Sequence, residues 1–329
     1  MSLSQYTGLI NDSDLPAEIK TILLRLATDY ALAQQNRKEI VQDSLPLFKQ
    51  LVFLVQKQFK TPYIFAPYHK AIREPINYQL FGVEFFRSFV DMDRSTLSDA
   101  DNLKQIEVHL QRGDNVVLFS NHQSEADPQI LYLLLEKKYL HLAQEMIFVA
   151  GHKVTTDILA APFSMGCNLI CIYSKKHIDF PPELKLAKQR HNQKTMKLMG
   201  SLLKEGGKCI YVAPSGGRDR RNSKGVIDIA PFDAQSVEMF RLIASQAKTT
   251  THFYPLALAT YDILPPPAEV ESKLGEERKA QYSPVHLSFG KEIDMNHFPG
   301  NEETDRHKKR EVLAQHIWSL VNNAYQQFP

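Results

Sequence analysis

The chain predicts an α/β protein: a mostly parallel sheet covered by helices, preceded by a smaller helical bundle. Three observations carry that reading. From about residue 80 onward, apolar runs of strand length alternate with helical patterns, the signature of a parallel, covered sheet. Residues 1 to about 80 show helical periodicity and no clear strand pattern. At 329 residues and 43% hydrophobic content, the chain can build two domains or one large domain with an appendage. The expected division is residues 1–80, a helical N-terminal domain, and 81–329, the α/β domain.

Asp14-Leu15-Pro16-Ala17-Glu18 reads as a helix start: a residue able to cap, a proline near the first turn and an early acid. Ile19, Ile22, Leu23, Leu26 and Ala27 then recur at three and four, one apolar stripe. A second helix is expected to open at Asn36 and carry Ile40, Leu45, Phe48, Leu51, Val52 and Val55, with Pro46 kinking it or starting a new one. Whether this bundle offers a face to a partner or simply covers the main domain is open. Strands are expected near 115–120, 146–150, 168–173, 208–213, 252–260 and 284–289. Helices are expected near 101–112, 124–137, 155–163, 183–205, 233–246 and 304–325. Pro265-Pro266-Pro267 and the charged run Glu271 to Lys279 mark a long exposed loop.

The net charge of +2 is close to neutral, but local charge is not. Between Cys171 and Lys224, thirteen Lys and Arg stand against four Asp and Glu. Acidic stretches at Asp91 to Asp101 and Glu269 to Glu277 offset them, leaving a basic zone suited to an anionic substrate or partner. A nucleic-acid partner is not expected, because the overall charge is low and no recognition motif is present. Cys167, Cys171 and Cys209 are an odd number without metal-type pairs, which points to reduced core thiols and a reducing compartment. The N-terminus lacks a basic region followed by an apolar one, so no secretory signal is expected, and no stretch reaches the length of a membrane span.

The chemistry concentrates in Asn121-His122-Gln123-Ser124-Glu125-Ala126-Asp127-Pro128. These residues follow the strand 115–120 and precede an apolar helix opening, which puts His122 at the carboxyl edge of the sheet, where open α/β sheets place ligands. Asp127 can fold back across one turn and accept the proton on Nδ1, leaving Nε2 as a general base for a hydroxyl. With twelve histidines in the chain, His-x4-Asp alone is a weak signal. Ser120 and Ser124 make a serine nucleophile a competing reading, although no G-x-S-x-G elbow occurs. No H-E-x-x-H or paired C-x-x-C spacing is present, so neither a metal nor a cofactor is expected.

Two further blocks follow strands and so share that edge. Tyr173-Ser174-Lys175-Lys176-His177-Ile178 is one, and Ala213-Pro214-Ser215-Gly216-Gly217-Arg218-Asp219-Arg220-Arg221 is the other. Adjacent glycines let the backbone turn tightly and bring its N–H groups to an anion. Arg218 and Arg220 supply fork donors, Lys176 a point charge and His177 another donor, about the number a phosphate monoester needs. A fourth block, Tyr254-Pro255-Leu256-Ala257-Leu258, reads equally well as a site-lining strand or an ordinary buried one.

The blocks N-H-Q-S-E-A-D-P, K-K-H-I and A-P-S-G-G-R-D-R resemble the plastid-type soluble glycerol-3-phosphate 1-O-acyltransferases, which have bacterial relatives. The resemblance spans most of the chain. Its third block is the specific one, since membrane lysophosphatidate acyltransferases typically carry P-E-G-T-R there. The resemblance implies a helical domain on an α/β catalytic domain, with His122 and Asp127 as the catalytic pair and Lys176, His177, Arg218 and Arg220 as the phosphate-binding cluster. It implies acyl transfer from an acyl carrier protein or acyl-CoA thioester to the sn-1 hydroxyl of glycerol 3-phosphate. Action on lysophosphatidate or another phosphorylated acceptor is the alternative. No transmembrane segment and at most transient contact with a membrane surface are expected. The location would be a bacterial cytoplasm, or the plastid stroma for a trimmed plant form.

Overall fold

The structure, a computed structural model, describes residues 3–36, 45–267 and 278–329, and leaves the side chains of residues 175 and 176 undescribed. Helices α1 (Leu3–Asn11), α2 (Ala17–Asn36) and α3 (Leu45–Lys60) come first. Strand β1 (Tyr68–His69), α4 (Tyr78–Arg87), β2 (Thr96–Ser98) and α5 (Ala100–Gln111) lead into β3 (Asn115–Ser120). Next are α6 (Asp127–Leu135), α7 (Leu140–Glu145), β4 (Ile147–Gly151), α8 (His152–Thr156), α9 (Ala161–Ser164) and β5 (Asn168–Ile172). Then follow α10 (Lys175–Ile178), α11 (Lys185–Glu205), β6 (Cys209–Val212), β7 (Arg220–Arg221) and β8 (Ile227–Asp228). The chain ends with α12 (Ala234–Ala247), β9 (Thr251–Ala259), β10 (His286–Phe289) and α13 (Arg306–Tyr325).

Among the described residues, eight strands form one sheet in the order β1-β5-β4-β6-β3-β9-β10-β2. The five central strands run parallel, while β1 and β10 lie antiparallel to their inner neighbours. Consecutive side chains of a strand point to opposite faces, and the core follows that rule. Val116 and Leu118 of β3 join Cys209, Tyr211, Tyr254 and Leu256 in one apolar cluster. Val117 and Phe119 join Ile210, Val212, Phe253 and Ala257 in the other. The first cluster is covered by α4, α6 and the N-terminal helices, the second by α11, α12 and α13. The result is a three-layer sandwich in which β3 lies at the centre, buried along its whole length.

The N-terminal helices meet the rest through aromatic rings. Tyr30 of α2 packs on Phe85 of α4 at 5.0 Å and on Phe48 of α3 at 5.7 Å, and Tyr6 of α1 packs on Phe48 at 4.9 Å. Removing a ring as buried as Phe85 would cost about 3–5 kcal/mol, so these helices are anchored by the same core that supports α6.

Several expectations need correcting. Tyr68–His69 pairs with Leu169 and Ile170 at the edge of the large sheet, inside the stretch read as purely helical. Two residues are too few to show a period. Asn36 ends α2 instead of opening a helix; residues 37–44 lie outside the described residues, and α3 starts at Leu45 with Pro46 in its first turn, where a missing N–H costs nothing. The helix expected near 155–163 is two short helices. Asp157 breaks it, because its Oδ1 accepts from the N–H groups of Leu159 and Ala160 at 2.8 and 3.0 Å, a local bond that competes with the helical ladder. The run 271–277 and the acidic stretch from Glu269 to Glu277 lie outside the described residues. Cys167, Cys171 and Cys209 are buried and unpaired, and burial pushes each thiol up to about 12, so none is a reactive thiolate. No helix of the described residues is long and apolar enough to cross a membrane.

Candidate active site

Five parallel strands end on one edge, and four of their exits build the site. The exit of β3 carries residues 121–127, flanked by the exit of β6 with residues 213–221 and that of β9 with Thr260 and Tyr261. The exit of β5, two strands further out, carries His177.

His122 Nδ1 lies 2.8 Å from Asp127 Oδ2. Asp127 opens α6, followed by Pro128, whose fixed φ suits a first turn. Its carboxylate is 1% exposed and receives donors from every side. The N–H of Gln123 reaches Oδ2 at 3.1 Å, the N–H of Ser124 reaches Oδ1 at 3.1 Å, and the Thr260 hydroxyl reaches Oδ1 at 2.6 Å. A carboxylate so occupied accepts from Nδ1–H and fixes that tautomer. Among the described residues Nε2 makes no hydrogen bond, and the ring is 30% exposed, so this nitrogen is open to an incoming hydroxyl.

Asn121 ties the three central exits together. Its Nδ2 donates to the Leu258 carbonyl at 2.9 Å and its Oδ1 accepts from the Leu258 N–H at 2.8 Å, extending the β3–β9 ladder through a side chain. The same Nδ2 donates to Asp219 Oδ2 at 2.9 Å, and the Asp219 N–H donates to the His122 carbonyl at 2.7 Å. Asp219 is fully buried, and burial pushes its carboxyl up to about 6, although bonds from Ala230 and Asn121 and the nearby His122 pull it down.

Arg218 reaches the loop between His122 and Asp127: its Nη1 is 3.6 Å from Glu125 Oε1. Glu125 also accepts from Arg278 Nε and Nη2 at 3.1 and 2.9 Å, and Arg278 reaches Asp157 at 3.1 Å. Arg220 donates to the Pro267 carbonyl. Gly216, at φ +63, adopts the left-handed conformation that its residue type favours, and its N–H closes the turn on the Ala213 carbonyl at 3.1 Å. His177 sits in α10 with its ring 5.1 Å from that of His152, edge to face. The backbone of Lys176 lies in the same short helix; its side chain is outside the described residues. The structure thus joins His122 to Asp127 by direct contact and Arg218 to Glu125 of the same loop, and sets His177 and Arg220 on the same edge by topology.

Sequence reasoning assigned no role to Asn121, Glu125, Asp219 or Thr260. The first three stand inside the quoted blocks. Thr260 has no motif of its own, and only its place directly after the strand 251–259 could have pointed to it.

The acyltransferase family profile matches residues 96–259. The chloroplastic glycerol-3-phosphate acyltransferase of Arabidopsis thaliana is 42% identical over 266 residues, 80% of this chain and 58% of that protein. The Spinacia oleracea protein of that name is 41% identical over 288 residues, 87% of this chain and 60% of its own length. That of Pisum sativum is 38% identical over 329 residues, 98% of this chain and 71% of the relative. The chain therefore spans 58% and 60% of the first two proteins and 71% of the third. Among solved structures, the 1-acyl-sn-glycerophosphate (LPA) acyltransferase PlsC of Thermotoga maritima aligns at a TM-score of 0.45 and 14% identity, covering 86% of this chain and 96% of that one. With 38% identity sustained over 98% of its length, this chain belongs to the chloroplast-type glycerol-3-phosphate acyltransferase family.

Proposed function

We propose that the chain transfers a fatty-acyl group from an acyl carrier protein or CoA thioester to the sn-1 hydroxyl of glycerol 3-phosphate. The observation that carries this reading is the His122–Asp127 pair, with Nε2 open, and the Arg218 guanidinium 3.6 Å from Glu125 of the loop that holds the pair. Nε2 takes the sn-1 proton as the oxygen attacks the thioester carbonyl. Asp127 stabilises the imidazolium that forms. Collapse of the tetrahedral intermediate breaks the C–S bond, and the imidazolium returns the proton to the departing thiolate, so no acyl-enzyme is needed. Lys176, His177, Arg218 and Arg220 are assigned to the acceptor's phosphate, where fixing the anion sets the hydroxyl in a near-attack position.

The chemistry is assigned to residues 81–329; the helices of residues 1–80 are assigned as cover, with β1 extending the sheet at its edge. The names of the relatives support glycerol 3-phosphate as acceptor and the plastid stroma as the working compartment. The basic zone supports an acidic carrier protein or CoA as the donor's handle.

The test is a purified-protein assay offering glycerol 3-phosphate and lysophosphatidate, each with acyl carrier protein and CoA thioesters. The expected product is 1-acyl-glycerol 3-phosphate. Preferred acylation of lysophosphatidate, or release of free fatty acid without transfer, overturns the reading.

A further inference from the structure

The opposite, amino edge of the sheet carries a cluster that acyl transfer does not use. His109 lies at the end of α5, Asp114 just before β3, His252 at the start of β9 and Glu292 just after β10. His252 Nδ1 is 2.6 Å from Glu292 Oε1, and its Nε2 is 3.3 Å from Asp114 Oδ2. The His109 ring stacks on it, with centroids 3.5 Å apart and planes 19° apart. His109 is turned the same way: Nε2 lies 3.8 Å from Glu292 Oε2, and Nδ1 lies 3.9 Å from Asp114 Oδ2. Each imidazole therefore presents one nitrogen toward Glu292 and the other toward Asp114.

Two polar atoms here are left over. The His109 side chain is 9% exposed, and among the described residues its buried Nδ1 has no hydrogen-bond partner. The hydroxyl of Tyr254, whose ring centroid is 6.4 Å from that of His109, is likewise buried without a hydrogen-bond partner among the described residues. His109 Nδ1 faces Asp114 rather than Glu292, and neither atom serves as a ligand; they show that the hydrogen bonding of the cluster is incomplete in this arrangement and that a small closure of the rings onto Asp114 would improve it.

We propose that this cluster binds one divalent first-row transition metal ion of the Zn2+ class. His109 Nε2, His252 Nδ1 and the Glu292 carboxylate are the ligands, and water completes the shell. Two imidazoles and a carboxylate match Zn2+ and its neighbours and suit Mg2+ or Ca2+ poorly. Asp114 Oδ2, 3.3 Å from His252 Nε2 and 3.9 Å from His109 Nδ1, is placed to accept the second N–H of both rings as the site closes, the carboxylate–histidine–metal arrangement that orients ligands. One ligand atom from each of His109, His252 and Glu292 lies within 4.8 Å of the others. Metal bonds of about 2.0–2.2 Å then require the side chains to close by roughly an ångström. Glu292 is half exposed and Gln105, 3.2 Å from His109 Nε2, is exposed, so both can move to admit the ion. The ligands are 109, 252 and 292 in sequence, which no local spacing could reveal.

Val116 pairs with His252 and lies six residues before His122, the first four steps in β3, a separation of up to about 20 Å at 3.3 Å per residue. The ion would thus clamp α5, β9 and the segment after β10 together without touching the reacting groups, independently of the acyl-transfer reading.

The experiment is calorimetric titration of the untagged, chelator-stripped chain with ZnCl2, alongside its melting temperature with and without the salt. One equivalent bound per chain and a rise in melting temperature are expected. Glu292→Ala, at a half-exposed position, should keep the fold, weaken Zn2+ binding at least tenfold and abolish the rise; His252→Asn should do the same. Absence of saturable binding, equal affinity in Glu292→Ala, or Mg2+ binding as tight as Zn2+ would each overturn the proposal.

Discussion

Thr260 donates its hydroxyl to Asp127 Oδ1 at 2.6 Å, across 133 residues of chain. The bond joins the exit of β9 to the first turn of α6, and it places the strongest donor outside the motif on the carboxylate that orients His122. Asp127 is thus set by β9 as much as by its own turn. Gln123 adds to the junction, its Oε1 accepting from the N–H groups of Thr260 and Tyr261 at 2.8 and 3.1 Å.

Thr260→Val keeps the shape and removes that one donor. A hydrogen bond to a charged group is worth about 1.5–3 kcal/mol, so kcat should fall about ten- to a hundredfold while the acceptor KM moves little. Steady-state kinetics of the variant is the check; a wild-type kcat would mean that the two backbone N–H groups hold Asp127 unaided.

His122→Ala should lower kcat by about 10²–10⁴-fold, the usual worth of a general base, with glycerol 3-phosphate still bound. Asp127→Asn should lose most activity too, because an amide can donate to Nδ1 and stabilise the wrong tautomer. Acyl-transfer assays paired with calorimetric binding of glycerol 3-phosphate separate the two effects. Full turnover in either variant would remove these residues from the chemistry.

How much of this was legible in the sequence depends on how local each signal is. His122 and Asp127 sit one turn apart, so their pairing follows from spacing. Val116 to Phe119 alternate between two faces that are both buried, and a continuous apolar run betrays such a strand. Thr260, Asp219 and Arg278 act across the sheet, and their partners at 127, 121 and 125 leave no trace in their own surroundings. The two residues of β1 carry no period at all. Asp157 diverts two backbone N–H groups to itself, which a count of apolar spacing across 155–163 does not register.

Replacing Arg218 or Arg220 by Ser should raise the KM for glycerol 3-phosphate about ten- to a hundredfold, the cost of one charge-assisted contact. The KM for the acyl donor should change far less. Initial-rate kinetics with each substrate varied in turn decides this. Weakened donor binding with the acceptor spared would make the two arginines a docking patch for the carrier.

Arg278 is 7% exposed and sits between Glu125 and Asp157, themselves 10% and 1% exposed. Arg278→Met would leave two buried carboxylates without this partner, a loss of about 3–5 kcal/mol. It would also free Glu125 to draw Arg218 toward itself, so the acceptor KM should rise. Urea unfolding and kinetics of the same variant test both; unchanged stability would mean that water reaches the two carboxylates.

Asp219 makes stability depend on pH with a definite sign. Its carboxyl is raised from an ordinary 3.8 to about 6 because burial disfavours the charge. The folded chain therefore holds this proton more tightly than the unfolded one. The stability contributed by the proton is fully present below about pH 3.8 and is lost as pH rises through 6. Over that window the loss approaches about 3 kcal/mol at roughly 1.4 kcal/mol per pH unit. Asp219→Asn cannot ionise, so it escapes the loss. Its NH2 group must face one of two donors, the Asn121 amide or the Ala230 N–H, which costs some stability at every pH, so the slope is the quantity to read. Denaturant unfolding of both proteins from pH 4 to 7.5 should show the variant gaining on the wild type as pH rises, with most of the change complete by about pH 7. A difference that stays flat across that range would show that Asp219 ionises as an ordinary carboxyl does, despite its burial beneath His122.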